Sequence, residues 1–334
     1  MNICILGAGS WGIAIAKLLS LNEHEVTVWS IDAAEINMLN EYCEHKTKLP
    51  GVILSGTVTF TTDLKAAIEG KDIVVMAVPS PFVRDTAKKA AEFIKENQII
   101  VSVSKGIEDE TLMRLSEVIK DEIPSAKVAV LSGPSHAEEV GKCLPTTVVV
   151  GCEDKAIAEM IQDAFMNDFF RVYISPDIIG IELGGALKNV IALAAGIADG
   201  LGCGDNTKAA LITRGIVEIS RLGIKMGGSP ETFSGLSGIG DLIVTCASIH
   251  SRNRKAGYLI GQGKTYHEAM DEVKMVVEGV YSAKAAYKLS LKYGVSMPIT
   301  EQVNKVLFEN YSAKDALFDL ITRDKTKEVI GLTW

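Results

Sequence analysis

The sequence of 334 residues lacks both paired cysteines and an excess of positive charge. Its six cysteines are scattered without any C-x-x-C pair, so we predict neither a disulfide framework nor a zinc or other metal site. Lys and Arg number 34 against 42 Asp and Glu, which gives a net charge of −8. This balance argues against general nucleic-acid binding, which depends on neutralising phosphates with cations. A few local cations can still hold a small anion.

Long hydrophobic runs and targeting segments are also missing. No uninterrupted apolar run reaches the roughly 18 residues of a membrane span. The chain enters a strand-like run at once, without the basic region and cleavage site of a signal peptide. We therefore expect no membrane span and a cytoplasmic location.

Up to about residue 175, short β-branched runs alternate with amphipathic helical segments such as 81–95 and 110–121. Several of the runs are apolar throughout, which is typical of parallel strands covered by helices on both faces. The pattern predicts a doubly wound α/β domain of the Rossmann type. The predicted strands are 2–6, 25–29, 72–78, 98–103, 127–131, 146–150 and 169–174.

Proline becomes rare after Pro176, since seven of the nine prolines lie at or before it. Long segments with helical periodicity follow, and they predict a mainly α-helical C-terminal domain. We place the boundary between residues 176 and 177, which gives a dinucleotide-binding domain at 1–176 and a helical substrate-binding domain at 177–334. The clearest helical segments are 179–199, 208–222, 282–293 and 301–311.

A glycine motif, G-x-G-x-x-G, follows the first predicted strand. Gly7 permits a tight turn, Gly9 lets the backbone approach a pyrophosphate, and Gly12 allows the next helix to pack closely on the sheet. A structural turn is the alternative, because the motif alone is weak. Its position between a strand and an apolar helix favours a dinucleotide site.

Three further segments end strands at the carboxyl edge, where open α/β sheets bind their ligands. They are 78–81, 102–106 with Lys105, and 132–137 with Ser135. Each has a structural alternative: a proline-stiffened helix entry, a solvated lysine, and a helix N-cap made by Ser135.

Lys188 lies in an apolar helix just after the domain boundary. In a cleft between the domains, desolvation and a second cation such as Lys105 would lower its pKa towards the range of a general acid or base. Otherwise its stem reaches solvent. Asp241 follows a glycine-rich segment at 235–240 and is either a helix cap or a partner for Lys188. Such glycine density indicates backbone close to a ligand or to another chain segment.

Two more polar segments stand at predicted helix starts. Ser251 and Arg252 combine a serine cap, free N–H groups and a guanidinium fork, which favours a phosphate site over a basic surface turn. Asp205 through Thr207 either cap the next helix or lie beside the active site.

Taken in order, these segments resemble bacterial-type NAD(P)-dependent glycerol-3-phosphate dehydrogenase over nearly the whole chain. The resemblance implies interconversion of sn-glycerol 3-phosphate and dihydroxyacetone phosphate by hydride transfer with NAD(P)(H), which supplies glycerol 3-phosphate for phospholipid synthesis. The segments that carry it are 7–12, 103–106, 132–135, 187–189, 204–215, 238–241, 251–253 and 276–279.

Residue roles follow from the resemblance and the glycine motif. Lys188 matches the proton acceptor, and the catalytic set adds Lys105, Asn189 and Asp241. The implied substrate residues are Lys105, Gly133, Ser135, Lys188, Asp241, Ser251, Arg252 and Asn253. The implied cofactor residues are Gly7, Gly9, Ser10, Trp11, Gly12, Asp32, Lys105, Ala137, Arg252, Val276 and Glu278.

One position departs from the family pattern. Members that use NADP tend to carry His or Arg just after the second strand, where this chain has Ile31 and Asp32. An acidic side chain there can bind the adenine ribose and repel a 2′-phosphate, so we expect NAD to be preferred over NADP. The alternative is that Asp32 only caps the helix at 33–43 while a basic residue from another loop reaches the phosphate.

Two rival functions remain open on the sequence. A related two-domain 3-hydroxy acid dehydrogenase would lack the phosphate cluster at 251–253. A non-catalytic dinucleotide-binding redox sensor would usually carry a basic nucleic-acid element, which this acidic chain lacks. For partners, we expect a small-molecule substrate and no nucleic acid, and a homodimer is left open.

Overall fold

An eight-stranded sheet forms the N-terminal part of the computed structural model, which describes residues 1–325 and 327–328. The strands lie in the order β3-β2-β1-β4-β5-β6-β7-β8, and all neighbours run parallel except β6 and β7. The strands are β1 (Asn2–Leu6), β2 (Glu25–Trp29), β3 (Thr59–Thr61), β4 (Ile73–Met76), β5 (Ile99–Ser102), β6 (Lys127–Ser132), β7 (Thr146–Gly151) and β8 (Phe170–Ser175).

Helices cover both faces of this sheet. In β1, Ile3 and Ile5 pack into the core on one face, whereas Cys4 and Leu6 pack into the core on the other. Burial on both faces explains why the strand sequences are continuously apolar, and the predicted doubly wound domain is confirmed. The helices are α1 (Ser10–Leu21), α2 (Ala33–Tyr42), α3 (Leu64–Ile68), α4 (Val83–Ala90), α5 (Leu115–Glu122), α6 (Ala137–Gly141) and α7 (Lys155–Phe165).

The seven predicted strands are all present, with ends shifted by at most two residues. The prediction missed β3, which has three residues at the sheet edge and is too short to show a pattern. The helix expected at 81–95 is a short 3₁₀ turn at Ser80–Phe82 followed by α4, which already ends at Ala90.

The C-terminal part is helical throughout, as predicted. Its central element is the 23-residue α8, and α12 crosses it at very short range. A Cβ on Gly196 would stand 2.1 Å from the carbonyl oxygen of Arg254, and one on Gly257 would stand 2.1 Å from that of Leu193. Only glycine permits this crossing, which brings the N-terminus of α12 towards Lys188.

Within the described residues, this part has a π-helical turn at Leu236–Gly240 and nine α-helices. They are α8 (Ile178–Gly200), α9 (Asp205–Lys225), α10 (Pro230–Phe233), α11 (Asp241–Ala247), α12 (Arg252–Gly261), α13 (Tyr266–Val273), α14 (Glu278–Tyr293), α15 (Pro298–Phe308) and α16 (Ala313–Ile321). By length and composition α8 would pass as a membrane span, but 89% of its apolar window is buried inside the protein, as in a core helix. The bent stretch from α10 to α12 passes that test only as one broken span.

The proposed domain boundary at residues 176–177 falls between β8 and α8. The end of the proposed second domain, residue 334, lies outside the described residues, as do residues 326 and 329–333.

Candidate active site

A cavity of about 970 Å³ runs along the carboxyl ends of the central strands and reaches α8 and α12. Residues from both parts of the chain line it. The predicted site residues on its wall are Gly7, Gly9, Ser10, Trp11, Asp32, Lys105, Ser135, Ala137, Lys188, Asn189, Ser251, Arg252, Asn253, Val276 and Glu278. Gly12, Gly133 and Asp241 are not among the residues that line it.

The glycine turn shapes one end of the cavity. Gly7 has a φ of +123°, and a Cβ there would stand 2.9 Å from the Ala77 backbone. A Cβ on Gly12 would stand 2.0 Å from the carbonyl oxygen of Gly7, so these two glycines are required by packing. No atom lies within 4 Å of a Cβ on Gly9, where α1 begins. The turn therefore leaves open the space in which a pyrophosphate at a helix N-terminus would lie.

The indole of Trp11 also fits a bound dinucleotide. Its Nε1 is buried and has no hydrogen-bond partner within the described part of the chain. Buried donors are normally paired, so an unpaired donor on a cavity wall is suited to a ligand acceptor.

Glu278 joins the two parts of the chain at this cavity. Its carboxylate accepts a hydrogen bond from the Ser80 amide at 3.0 Å and another from the Ser80 hydroxyl. Burial raises the pKa of Glu278, while the bonds from Ser80 and the charge of Arg252 oppose that rise. The 78–81 loop is thus fixed to the start of α14.

Lys188 lies at the centre of the site with 6% of its surface exposed. Its Nζ donates to Asp241 Oδ1 at 2.5 Å and to Thr245 Oγ1 at 2.7 Å. The second oxygen of the same carboxylate, Asp241 Oδ2, accepts a bond from Lys105 Nζ at 2.8 Å. One buried carboxylate therefore holds two ammonium groups, and Asp241 is a partner of Lys188 besides being the first residue of α11.

The charges in this cluster shift each other's titration. Burial, together with the charge of Lys105, lowers the pKa of Lys188 to about 8, although Asp241 opposes this shift. Burial alone would raise the pKa of Asp241, but the two ammonium groups hold it below its ordinary value. Lys188 is thus a lysine that can lose and regain its proton near neutral pH.

Lys105 extends the cluster towards the 132–137 segment. Its Nζ donates to the Gly133 carbonyl oxygen at 3.0 Å and to Ser135 Oγ at 3.1 Å. The suggestion that Ser135 is a helix N-cap is wrong, because α6 begins after His136 and the Ser135 hydroxyl donates to the Gly133 carbonyl oxygen instead. The turn at Gly133, rather than the helix, orients this hydroxyl.

A chain of amide contacts connects α8 with α12 and α14. Asn253 Nδ2 donates to Asn189 Oδ1 at 2.9 Å, and the Gly279 amide donates to Asn253 Oδ1 at 2.8 Å. Asn189 Nδ2 makes longer contacts of 3.4 Å to the carbonyl oxygens of Lys105 and Gly185. Both asparagines line the cavity with their positions fixed by these bonds.

The start of α12 forms another wall of the cavity. Ser251 caps this helix by accepting a bond from the Arg254 amide, as the sequence predicted. Arg252 contacts the Val276 carbonyl oxygen at 3.2 Å through Nη1. Lys188, this helix N-terminus and the guanidinium thus face one cavity, a combination suited to a phosphorylated substrate.

Sequence reasoning missed Thr245, which accepts a hydrogen bond from Lys188 and also lines the cavity. A signal was available, because Thr245 lies four residues after Asp241 and shares its helix face. Residues 205–207 do not line the cavity, and they do not cap α9 either, because its N-cap is Gly204 and no side chain makes a capping bond there. The glycine-rich segment presses on other backbone: a Cβ on Gly238 would stand 2.1 Å from the Phe233 carbonyl oxygen.

Asp32 lies at the far end of the cavity. Its exposed side chain caps α2 by accepting a bond from the Ala34 amide at 2.8 Å. A basic residue from another loop, Lys48, also lines the cavity there and forms an ion pair with Glu35. Asp32 and Lys48 thus stand on the same cavity wall.

Comparison with known proteins agrees with this geometry. The family description "NAD-dependent glycerol-3-phosphate dehydrogenase N-terminus" matches residues 2–158, and the corresponding C-terminus description matches residues 177–318. A glycerol-3-phosphate dehydrogenase (NAD(P)+) of Agathobacter rectalis is 63% identical over 333 residues, which cover 100% of this chain and 99% of the relative. The enzyme of that name from Bacillus subtilis is 53% identical over 334 residues, covering 99% and 97%.

A solved structure resembles the whole chain as well. The glycerol-3-phosphate dehydrogenase of Coxiella burnetii superposes with a TM-score of 0.94 at 36% identity, covering 96% of this chain and 99% of that one. The sequence matches and this superposition span both domains. The chain therefore belongs to the NAD-dependent glycerol-3-phosphate dehydrogenase family.

Proposed function

We propose that this cavity interconverts sn-glycerol 3-phosphate and dihydroxyacetone phosphate. The observation that carries the proposal is Lys188, a buried lysine on the cavity wall held by Asp241 and Thr245 and facing the same space as Arg252. The open turn at Gly9 and the unpaired indole of Trp11 support binding of a dinucleotide at the other end. When bound, a nicotinamide cofactor supplies the hydride acceptor or donor.

In the proposed oxidation, Lys188 is a free amine, and its Nζ accepts the proton of the substrate's C2 hydroxyl. In the reverse direction it returns that proton to the oxygen. Asp241 stabilises the ammonium form, and Thr245 fixes the direction of the Nζ lone pair. Lys105 and Asn189 lie beside Lys188 and would stabilise charge on the substrate oxygen.

At α12, we propose that the substrate phosphate lies against Ser251, Arg252 and Asn253. The helix N-terminus offers free N–H groups, and the guanidinium offers a fork that matches phosphate oxygens. Ser135 is placed by Lys105 for a contact with the glycerol part.

The titration of Lys188 predicts opposite pH profiles for the two directions. We expect kcat for oxidation to rise with pH through about 8, because only the free amine accepts a proton, and kcat for reduction to fall over that range. Asp241→Asn removes the charge that raises the pKa of Lys188, so the pH profiles of kcat for oxidation and for reduction should both move to lower pH.

Asp199→Asn is the matched control for this shift. Its carboxylate also pairs with two cations, Lys208 and Arg254, but it does not line the cavity. Steady-state rates over neutral and mildly alkaline pH decide the matter. Flat profiles, or equal shifts in both variants, would separate Lys188 from the proton transfer.

We also expect NADH to be preferred over NADPH, by about tenfold or more in kcat/KM, because a 2′-phosphate near Asp32 would meet a like charge. Asp32→Ala should lower the ratio of kcat/KM for NADH to kcat/KM for NADPH. Asp63→Ala is the matched control, since Asp63 caps α3 in the same way and lies outside the cavity. A clear preference for NADPH in the wild type would contradict our interpretation of Asp32. If Asp32→Ala left the NADH to NADPH ratio of kcat/KM unchanged, Asp32 would act only as the N-cap of α2.

Oxidation assays with NAD+ test the proposed function against its rival. We expect turnover with glycerol 3-phosphate and negligible turnover with 3-hydroxyisobutyrate, because the site has cations at α12 for a phosphate. The reverse order would favour a 3-hydroxy acid dehydrogenase. The family match and the acid/base lysine favour an enzyme over a non-catalytic redox sensor.

A cytoplasmic location is part of this proposal, as is the absence of nucleic-acid partners. The burial of α8 in the protein core and the net charge of −8 support these two points. The choice between a monomer and a homodimer is left open, and the molar mass of the purified protein in solution would decide it.

A further inference from the structure

A cation from a separate loop reaches the Asp32 end of the cavity. Lys48 lies on the segment that follows α2, and the neighbouring Leu49 is 1% exposed and packed in the core. The Leu49 amide also donates to the His45 carbonyl oxygen at 2.9 Å. These contacts fix the position from which the Lys48 side chain, 35% exposed, extends along the cavity wall.

Glu35 holds the Lys48 ammonium in place. The two form an ion pair, and the second carboxylate oxygen, Glu35 Oε2, accepts a bond from Ser30 Oγ at 2.8 Å. Burial alone would raise the pKa of Glu35, but its contacts with His45, Lys48 and Ser30 lower it to about 2. Glu35 is therefore an anion throughout the physiological pH range.

The buried ring of His45 contacts both residues of this pair. Its Nδ1 faces the Lys48 amide at 3.2 Å and must act as the acceptor there, which leaves the proton of the neutral ring on Nε2. Nε2 lies 3.4 Å from Glu35 Oε1, too poorly aligned for a full hydrogen bond. Among the residues that the structure describes, Lys48 is therefore the lysine that pairs with Glu35.

We propose that Lys48 is the cation that meets the 2′-position of the adenine ribose and that Glu35 restrains it, so that this pair sets the choice between the two dinucleotides. The inference rests on the proposed function, which places the adenine ribose beside Asp32. With Glu35 present, the pair has no net charge, and Asp32 leaves this end of the cavity negative. Without the Glu35 charge, Lys48 is free to bind a 2′-phosphate.

Binding of small fragments isolates this part of the site from catalysis. We expect Glu35→Gln to tighten binding of 2′,5′-ADP about tenfold, the effect of one charge-assisted hydrogen bond, and to leave binding of AMP unchanged. Isothermal titration calorimetry on the full chain measures both. In Glu35→Gln/Lys48→Met the gain should disappear, because the methionine keeps the length of the side chain without its charge.

Lys48→Met alone provides a second variant that leaves Glu35 in place. It should weaken 2′,5′-ADP a few-fold, as expected for a partly exposed ion contact, without changing AMP. If Glu35→Gln binds AMP normally but gains nothing on 2′,5′-ADP, or if the gain survives the loss of Lys48, the inference is overturned. Should Glu35→Gln fail to fold, unchanged 2′,5′-ADP binding in Lys48→Met would overturn it.

The same proteins keep this inference separate from the proposed function. Wild-type protein that does not oxidise NADH with dihydroxyacetone phosphate would refute the function, whatever the fragments show. Wild-type protein that does so, with Glu35→Gln unchanged in both 2′,5′-ADP binding and the NADPH to NADH ratio of kcat/KM, would refute the role of Glu35 and Lys48 alone.

Discussion

Lys188→Ala should lower kcat by about 10²–10⁴-fold in both directions, the usual contribution of a general acid or base. The cavity wall loses the group that exchanges a proton with the substrate oxygen. The dissociation constant for NADH should stay nearly unchanged, because the glycine turn lies at the other end of the cavity. Asp241 keeps Lys105 as a partner, so the variant should still fold. Steady-state rates and NADH fluorescence titration measure the two quantities.

Lys208→Ala is the matched control for this experiment. Lys208 also pairs with an aspartate, Asp199 at 2.9 Å, but it lies outside the cavity. We expect its kcat to remain near the wild-type value. If Lys188→Ala kept about a tenth or more of the wild-type kcat, the assignment of Lys188 as acid and base would be wrong.

Arg252→Ala should raise KM for dihydroxyacetone phosphate about 10²-fold, since a dianion loses a charge-assisted fork. The effect on KM for NADH should be smaller, because Arg252 is one of eleven residues that the resemblance and the glycine motif assign to the cofactor. Arg252→Lys should recover only part of the loss, because an ammonium group cannot form the two parallel hydrogen bonds of a guanidinium.

Arg254→Ala separates this effect from a general loss of charge on α12. Arg254 lies on the same helix, two residues further on, but its guanidinium is bound to Asp199 at 2.8 Å and does not line the cavity. KM should change little in this control. Equal effects in both variants, or an unchanged KM in Arg252→Ala, would move the phosphate site away from Arg252.

Strand and helix order could be predicted because it depends on local patterns. The continuous apolar run of β4 and the long apolar run of α8 each reflect burial on all sides, which is visible in the residue types themselves. The antiparallel direction of β7 could not be predicted in this way. The direction of a strand depends on whether the connection before it crosses back to the other end of the strands. Residue composition does not encode this.

In the candidate site too, the local motifs could be predicted from the sequence and the long-range contacts could not. The glycine turn and the Ser251 cap are local, and their geometry agrees with the sequence motifs. Lys48 pairs with Glu35 from a separate loop, and nothing in the spacing of the two residues indicates the contact. Lys105 and Lys188 are joined through Asp241, which is 136 positions beyond Lys105 in the chain. Such contacts depend on the packing of whole elements.

The most direct test of the account is the oxidation of NADH by the purified protein with dihydroxyacetone phosphate, compared with dihydroxyacetone. The only chemical difference is the phosphate, which we place at the start of α12. We predict rapid loss of NADH absorbance with the phosphorylated ketone and at least about 10³-fold lower kcat/KM without the phosphate, because binding energy from that group serves the reaction at C2. Equal rates with the two ketones, or no NADH oxidation with dihydroxyacetone phosphate, would contradict the central claim.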